Sequence, residues 1–139
     1  MSKMTMKMKI NAPADAVWKT IRDFGGIGKF VASVKGCTVE GSGVGAVRTL
    51  DFGEGPAIVE RLEKLDDQDQ SLTYSIVSSP LPMEGYVSTM TLVELSQSRC
   101  EVWWTCVFTP KGATEDELEK IIQGVYTEGF AGLKKLHGG

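Results

Sequence analysis

Glu60 is the ionisable residue whose neighbours say most about chemistry. In the extended run from Ala57 to Leu65 it falls on the same side as Ile58 and Leu62, the apolar parity. A carboxylate on that side is desolvated, which raises its pKa unless a cation or hydrogen-bond donors stabilise the charged form. Such a group serves as a general base or as an acceptor for a donor on a ligand. Lys35 is a candidate for the compensating cation, or for the anchor of a bound molecule. The competing placement sets Glu60 at a strand edge, paired with Arg61 or Lys64 across solvent, where strand glutamates are commonly found.

Other chemistries are narrowed by what the chain lacks. His137 is the single histidine and stands at the C-terminal end, so neither a Ser-His-Asp nor a Cys-His arrangement can be built in an interior. No His, Cys or carboxylate cluster has zinc-ligand spacing, and no metal or cofactor is expected. Cys37, Cys100 and Cys106 form an odd set without a CxxC pair, which reads as free thiols used for packing. GSGVGAV, from Gly41 to Val47, lies between two extended runs and reads as a hairpin turn rather than a phosphate cradle.

Trp103 and Trp104 are consecutive, so one faces inward and the other outward. Val102, Trp104, Cys106 and Phe108 form a wholly apolar parity against Glu101, Trp103, Thr105 and Val107. That pattern turns Trp104 to the interior.

The element that must cover these groups is a helix from Thr114 to Leu136, of about six turns. Leu118, Ile121, Ile122, Val125, Tyr126, Gly129, Phe130, Leu133 and Leu136 follow one helical stripe. Thr114 and Glu117 have capping-box spacing, and Lys134, Lys135 and His137 sit at the negative end of the dipole. Gly129 at the centre of the stripe and Gly132 at its edge each cost roughly 1 kcal/mol relative to alanine. Close approach of sheet or of a bound molecule accounts for them, and tight packing is the commoner cause. Gly124 points away from the stripe.

Upstream, Met4, Met6, Met8 and Ile10 alternate with polar residues as one buried strand face. Pro13 opens a short helix with Val17, Trp18, Ile21 and Phe24 on one side. Gly25, Gly26 and Gly28 break it, and Phe30, Val31 and Val34 suggest a second short turn. Six extended runs follow: Cys37 to Glu40, Ala46 to Phe52, Ala57 to Leu65, Leu72 to Ser78, Tyr86 to Leu95 and Cys100 to Phe108. Short turn-rich loops between them require antiparallel pairing. The expected fold is therefore α+β: a seven-stranded antiparallel sheet that curls around the long C-terminal helix, with two short helices after strand one. A gap between helix and sheet would be an apolar cavity.

With 139 residues, 42% hydrophobic and 24% charged, a single domain over 1–139 is expected. A net charge of −3 with scattered lysines and arginines offers no patch for nucleic acid or an anionic membrane. The N-terminal MSKMTMKMKI lacks the apolar core of a signal peptide, and no run reaches membrane-spanning length. A cytoplasmic location is expected, without membrane insertion and with the protein partner unknown.

The layout, together with the stretch GPAIVERLEKLDDQDQSLTYSIVSSPLPMEGYVSTMTL from Gly55 to Leu92, resembles the helix-grip (START-like) superfamily. That group includes polyketide cyclases, lipid-transfer domains, plant pathogenesis-related proteins and plant abscisic acid receptors. The sharpest likeness is to the receptors. Pro56 and Ala57 match their gate loop, Glu60 to Leu62 and Leu65 to Asp67 their Glu-Arg-Leu and Leu-Asp-Asp strand, and Tyr86 and Ser88 their Tyr-x-Ser strand. Val34 to Cys37 is similar to the segment whose lysine meets the hormone's carboxylate. Trp103 to Leu136 looks more like bacterial members of the cyclase-like group. Leu81 and Pro82 stand where the receptors carry a His-Arg latch, and Gly55 stands where their gate has leucine. The resemblance thus implies the same pocket without the hormone switch.

These readings converge on a binding or carrier protein for a small, mostly apolar molecule such as a lipid, isoprenoid or polyketide. Ile58, Ile76, Tyr86, Ile121, Val125 and Gly129 are expected at its cavity, with Trp104 beside them. The resemblance adds Lys35, Pro56, Ala57, Leu81 and Ser88 to Glu60. One alternative is a cyclase or dehydratase with Glu60 as general base and Lys35 or Tyr86 as electrophilic partner. Another is a protein-interaction module.

Overall fold

The computed structural model describes Met1–Gly139. Seven strands form one sheet: β1 (Ser2–Ile10), β2 (Gly36–Glu40), β3 (Val47–Asp51), β4 (Ile58–Asp66), β5 (Ser71–Ser78), β6 (Met83–Ser96) and β7 (Arg99–Pro110). Their order is β1-β7-β6-β5-β4-β3-β2, and every pairing is antiparallel. Strands β2 to β7 pair in chain order, as short loops dictate, and β1 returns to the far edge against β7. Helix α1 (Ala14–Arg22) and a 3-10 helix (Phe24–Lys29) link β1 to β2, and α2 (Glu115–His137) closes the chain. The curved sheet around α2 is the arrangement expected from the hydrophobic periodicity, and it is the helix-grip fold that the resemblance implies.

Alternation sets the register of the concave face. Met4, Met6, Met8 and Ile10 lie opposite Cys106, Trp104, Val102 and Cys100, so two apolar parities meet on one face. Trp104 is buried there, while Trp103 lies on the outer face, with Lys7 Nζ 3.9 Å from its ring centroid. Asp67, in the β4–β5 turn, accepts hydrogen bonds from Trp18 Nε1 at 2.8 Å and Arg22 Nε at 2.7 Å, which ties α1 to the sheet.

Helix α2 begins where its capping box places it: Thr114 Oγ1 accepts from the Glu117 amide, and Glu117 reaches back to the Thr114 amide. Its two stripe glycines have packing causes. A Cβ on Gly129 would lie 2.6 Å from the Trp104 ring, and one on Gly132 would lie 1.9 Å from the Phe30 carbonyl oxygen. Around Gly124 nothing approaches within 4 Å.

Two expectations need correction. The first helix does end here, at Arg22, but Gly25, Gly26 and Gly28 then form the second short helix themselves, a 3-10 helix, and the segment around Phe30 to Val34 follows with turns at Phe30 and at Ala32 and Ser33. The tight winding of the 3-10 helix brings the Asp23 side chain within 2.6 Å of where a Gly26 Cβ would be, so glycine permits the turn rather than ending it. The apolar stripe of α2 is also only partly covered. Leu118, Ile122, Tyr126, Phe130 and Leu133 are buried, whereas Ile121 and Val125 remain 42% and 41% exposed and Leu136 stays at the surface.

Candidate functional site

The uncovered part of the α2 stripe faces an apolar cleft of about 70 Å³ between helix and sheet. Ile121, Ile122, Val125 and Tyr126 form its helix wall. Leu50 and Phe52 from β3 and its following loop, Ile58 and Glu60 from β4, and Ile76 from β5 form the sheet wall. Leu81, Met83 and Tyr86 close it on the β6 side, and Ile27 and Val31 close it from the short-helix segment. Of the fourteen lining residues thirteen are hydrophobic, and Glu60 alone carries charge.

Glu60 is buried at the inner end of this cleft. Its direct cross-strand neighbour is Arg48, whose Nε and Nη2 lie 2.8 and 2.7 Å from Glu60 Oε1. Arg48 Nη1 also donates to the Phe24 carbonyl at 2.9 Å, and the guanidinium lies 4.0 Å from the Phe24 ring and 4.8 Å from that of Tyr74. The cation is therefore hydrogen-bonded and sandwiched, which offsets part of its desolvation. Glu60 Oε2 has no hydrogen bond within the protein, yet no buried side-chain polar atom lacks a partner. Oε2 is thus the oxygen that Arg48 does not take, on a residue that lines the cleft. Burial pushes the Glu60 carboxyl above its ordinary range, while the charge and hydrogen bonds of Arg48 pull it back without cancelling the shift.

A second polar group reaches the cleft from the α2 side. The Tyr86 and Tyr126 hydroxyls are hydrogen-bonded to each other, and Tyr126 also meets Ser88 Oγ at 2.8 Å. Trp104 Nε1 donates to Ser88 Oγ at 3.0 Å and to the Tyr74 hydroxyl at 3.2 Å, and its ring stacks on Tyr126 with centroids 4.0 Å apart. Every member of this network is satisfied, so it rigidifies the junction of α2 with β5, β6 and β7. Burial raises the Tyr74 phenol to about 12 and holds those of Tyr86 and Tyr126 well above the usual value.

Of the residues expected at a site, Ile58, Glu60, Ile76, Leu81, Tyr86, Ile121 and Val125 line the cleft. Ser88 and Trp104 lie behind it in the hydrogen-bonded network, and Gly129 packs beneath the Trp104 ring. Pro56 and Ala57 stand exposed on the β3–β4 loop. Lys35 directs Nζ to the Ala32 carbonyl at 3.3 Å, in a shallow hollow beside the 3-10 helix. The cation of Glu60 is thus Arg48 rather than Lys35. Solvent pairing of Glu60 is also overturned, since Arg61 pairs with Glu63 at 3.0 Å instead. A signal for Arg48 exists in the sequence, because it shares strand parity with Ala46 and Leu50, both buried.

A curved sheet gripping one long helix, with an apolar cleft between them, defines the helix-grip class. The family model described as polyketide cyclase / dehydrase and lipid transport matches residues 1–138, and the chain belongs to that family. The abscisic acid receptor PYL2 of Arabidopsis thaliana is 32% identical over 128 residues, which cover 84% of this chain and 67% of the receptor. PYL10 of the same plant is 31% identical over 132 residues, covering 86% and 72%. The solved structure of XoxI from Bacillus cereus matches with a TM-score of 0.92 at 28% identity, covering 99% of this chain and 96% of XoxI.

Proposed function

We propose that the protein binds a small, mostly apolar molecule in the cleft between α2 and the sheet, with Glu60 Oε2 accepting a hydrogen bond from a hydroxyl or amine of that molecule. The observation that carries this reading is the pairing of exposed apolar helix residues, Ile121 and Val125, with Glu60, the one charged residue of the wall, whose Oε2 is not taken by Arg48. Family membership and the receptor relatives support it.

The cleft, at about 70 Å³, is well below the roughly 300–1,000 Å³ of ordinary ligand pockets. Binding therefore requires the mouth to widen, and the wall best able to move is the pair of loops at its rim. Gly53 and Gly55 have positive φ, 86° and 74°, a conformation that costs glycine nothing. With Pro56 and Ala57 they form the exposed loop between the lining residues Phe52 and Ile58, and Leu81 lines the cleft from the β5–β6 loop. Lys35, whose Cγ lies 3.4 Å from a Cβ built on Gly53, packs against the start of that loop.

Fixation by Arg48 favours Glu60 as an anchor over Glu60 as a proton shuttle, because transfer of a proton to it weakens a buried ion pair. Thermal-shift and dye-displacement measurements across fatty alcohols, isoprenoid alcohols and aromatic polyketides test the function. Stabilisation by members carrying a donor group is the expected result, and a flat response across the panel refutes it.

A further inference from the structure

The ladder between β5 and β6 runs from Ser71 opposite Thr91 to Ser75 opposite Val87 and then stops, although both strands continue. Beyond that point Ile76 and Ser78 pair only with β4, and neither Gly85 nor Tyr86 has a partner residue in either neighbouring strand. Gly85 sits at φ 65° in this irregular stretch. The two strands splay, and the split holds a groove of about 290 Å³ lined by Ile76 to Ser79 on one side and Met83 to Tyr86 on the other. Ile76, Met83 and Tyr86 line both this groove and the apolar cleft. The partition between the two spaces is therefore three side chains thick in sequence terms. Tyr86 is held by Tyr126, whereas Met83 is half-buried, unbranched and free to change rotamer.

The two compartments differ in chemistry. Ser78 makes no side-chain hydrogen bond, and the Ser79 hydroxyl accepts from the Leu81 amide but leaves its own proton undonated. Splaying also withdraws the sheet partners that backbone groups here would otherwise have. The carboxylate at the rim, Glu84, is paired with Lys111 at 3.3 Å, so the groove offers no free cation. A neutral group rich in hydroxyls suits it better than an anion does.

Resting on the proposed binding function, we infer that the ligand is a neutral amphiphile with several hydroxyls: its apolar tail occupies the cleft, one hydroxyl meets Glu60, whose cross-strand partner Ile76 belongs to the partition, and the rest of its head passes Met83 into the groove between β5 and β6. This reduces the widening the cleft must undergo, since the head lies outside it and only the tail has to fit between α2 and the sheet. It also gives the sheet a side entrance separate from the loop at Gly53 to Ala57.

Amide spectra of the isotope-labelled protein, titrated with octanol and with monooctanoylglycerol below its micelle concentration, test the inference. Both probes should shift Ile121 and Val125, but only the glyceride should shift Val77 to Ser79 and Met83 to Tyr86. The glyceride should bind about tenfold more tightly, as expected for one or two net hydrogen bonds. Ser78→Trp, an exposed strand-end substitution that fills the groove, should abolish that advantage and leave octanol binding intact. Met83→Ala, which thins the partition, should preserve or increase the advantage. Octanol binding in the cleft with no glyceride advantage or groove shifts overturns the inference alone. Silence from both probes overturns it together with the function on which it rests.

Discussion

Arg48 places two guanidinium nitrogens on one oxygen of Glu60, at 2.8 and 2.7 Å, and leaves the other oxygen untaken on a side chain that lines the cleft. The two residues are direct partners across β3 and β4, so the strand register itself builds the pair. Such a pair is asymmetric in its energetics: removing one partner strands a buried charge, while replacing both can be neutral. Arg48→Met is expected to destabilise the fold by about 3 to 5 kcal/mol, and Arg48→Met combined with Glu60→Leu should recover most of that loss. Urea unfolding of the two variants and the parent checks this.

Glu60 also predicts a pH signature. Its folded value lies above the ordinary 4.5 because burial outweighs Arg48. A carboxyl shifted in this direction contributes stability that is complete below its unfolded pKa and lost as pH rises through its folded one. Stability of the parent relative to Glu60→Gln should therefore decline as pH rises from about 4.5. An opposite slope in unfolding free energies would show that Arg48, not burial, dominates.

The three tyrosines of the chain are all buried in one network or beside it. All three phenols are raised by burial, Tyr74 to about 12 and the others well above 10. Absorbance of the native protein should show no tyrosinate near pH 10, where an exposed tyrosine titrates. The stabilisation from these groups is fully present below the unfolded value and is lost as pH climbs through the folded ones. Tyrosinate should then appear together with loss of tertiary signal in the near-ultraviolet circular dichroism, rather than before it.

Glycines in α2 separate packing from propensity. Gly132→Ala drives a Cβ into the Phe30 carbonyl and should cost about 3 kcal/mol, at the upper end for overpacked sites. Gly124→Ala meets open space within a helix and should stabilise by about 1 kcal/mol. Chemical denaturation midpoints of the two variants should move in opposite directions.

Fold and site differ in how far the sequence reveals them. Alternation at Met4 to Ile10 and at Val102 to Phe108, and the capping box at Thr114, are local patterns, and local patterns specify the elements directly. Trp104 inward and Trp103 outward follow from parity alone. The Arg48–Glu60 pair depends on which residue of β3 comes to lie beside Glu60, twelve positions away, and that register is fixed by the whole sheet. Exposure of Ile121 and Val125 is equally non-local: the stripe is wider than the surface that covers it, and only the curvature of the sheet decides which edge stays bare. The splay after Ser75 leaves no clear mark beyond Gly85, because a broken ladder is a relation between strands.

The most direct measurement is an amide-resolved titration of the parent and of Val125→Trp with a sesquiterpene alcohol such as farnesol. Val125 is 41% exposed at the cleft wall, so the larger ring fills the space without entering the core. Saturable shifts at Ile58, Glu60, Ile76, Ile121 and Val125 in the parent, abolished in a folded Val125→Trp, are the result expected of a ligand held between α2 and the sheet. Binding that survives in Val125→Trp with unchanged affinity, or shifts confined to the outer face around Trp103, would contradict it.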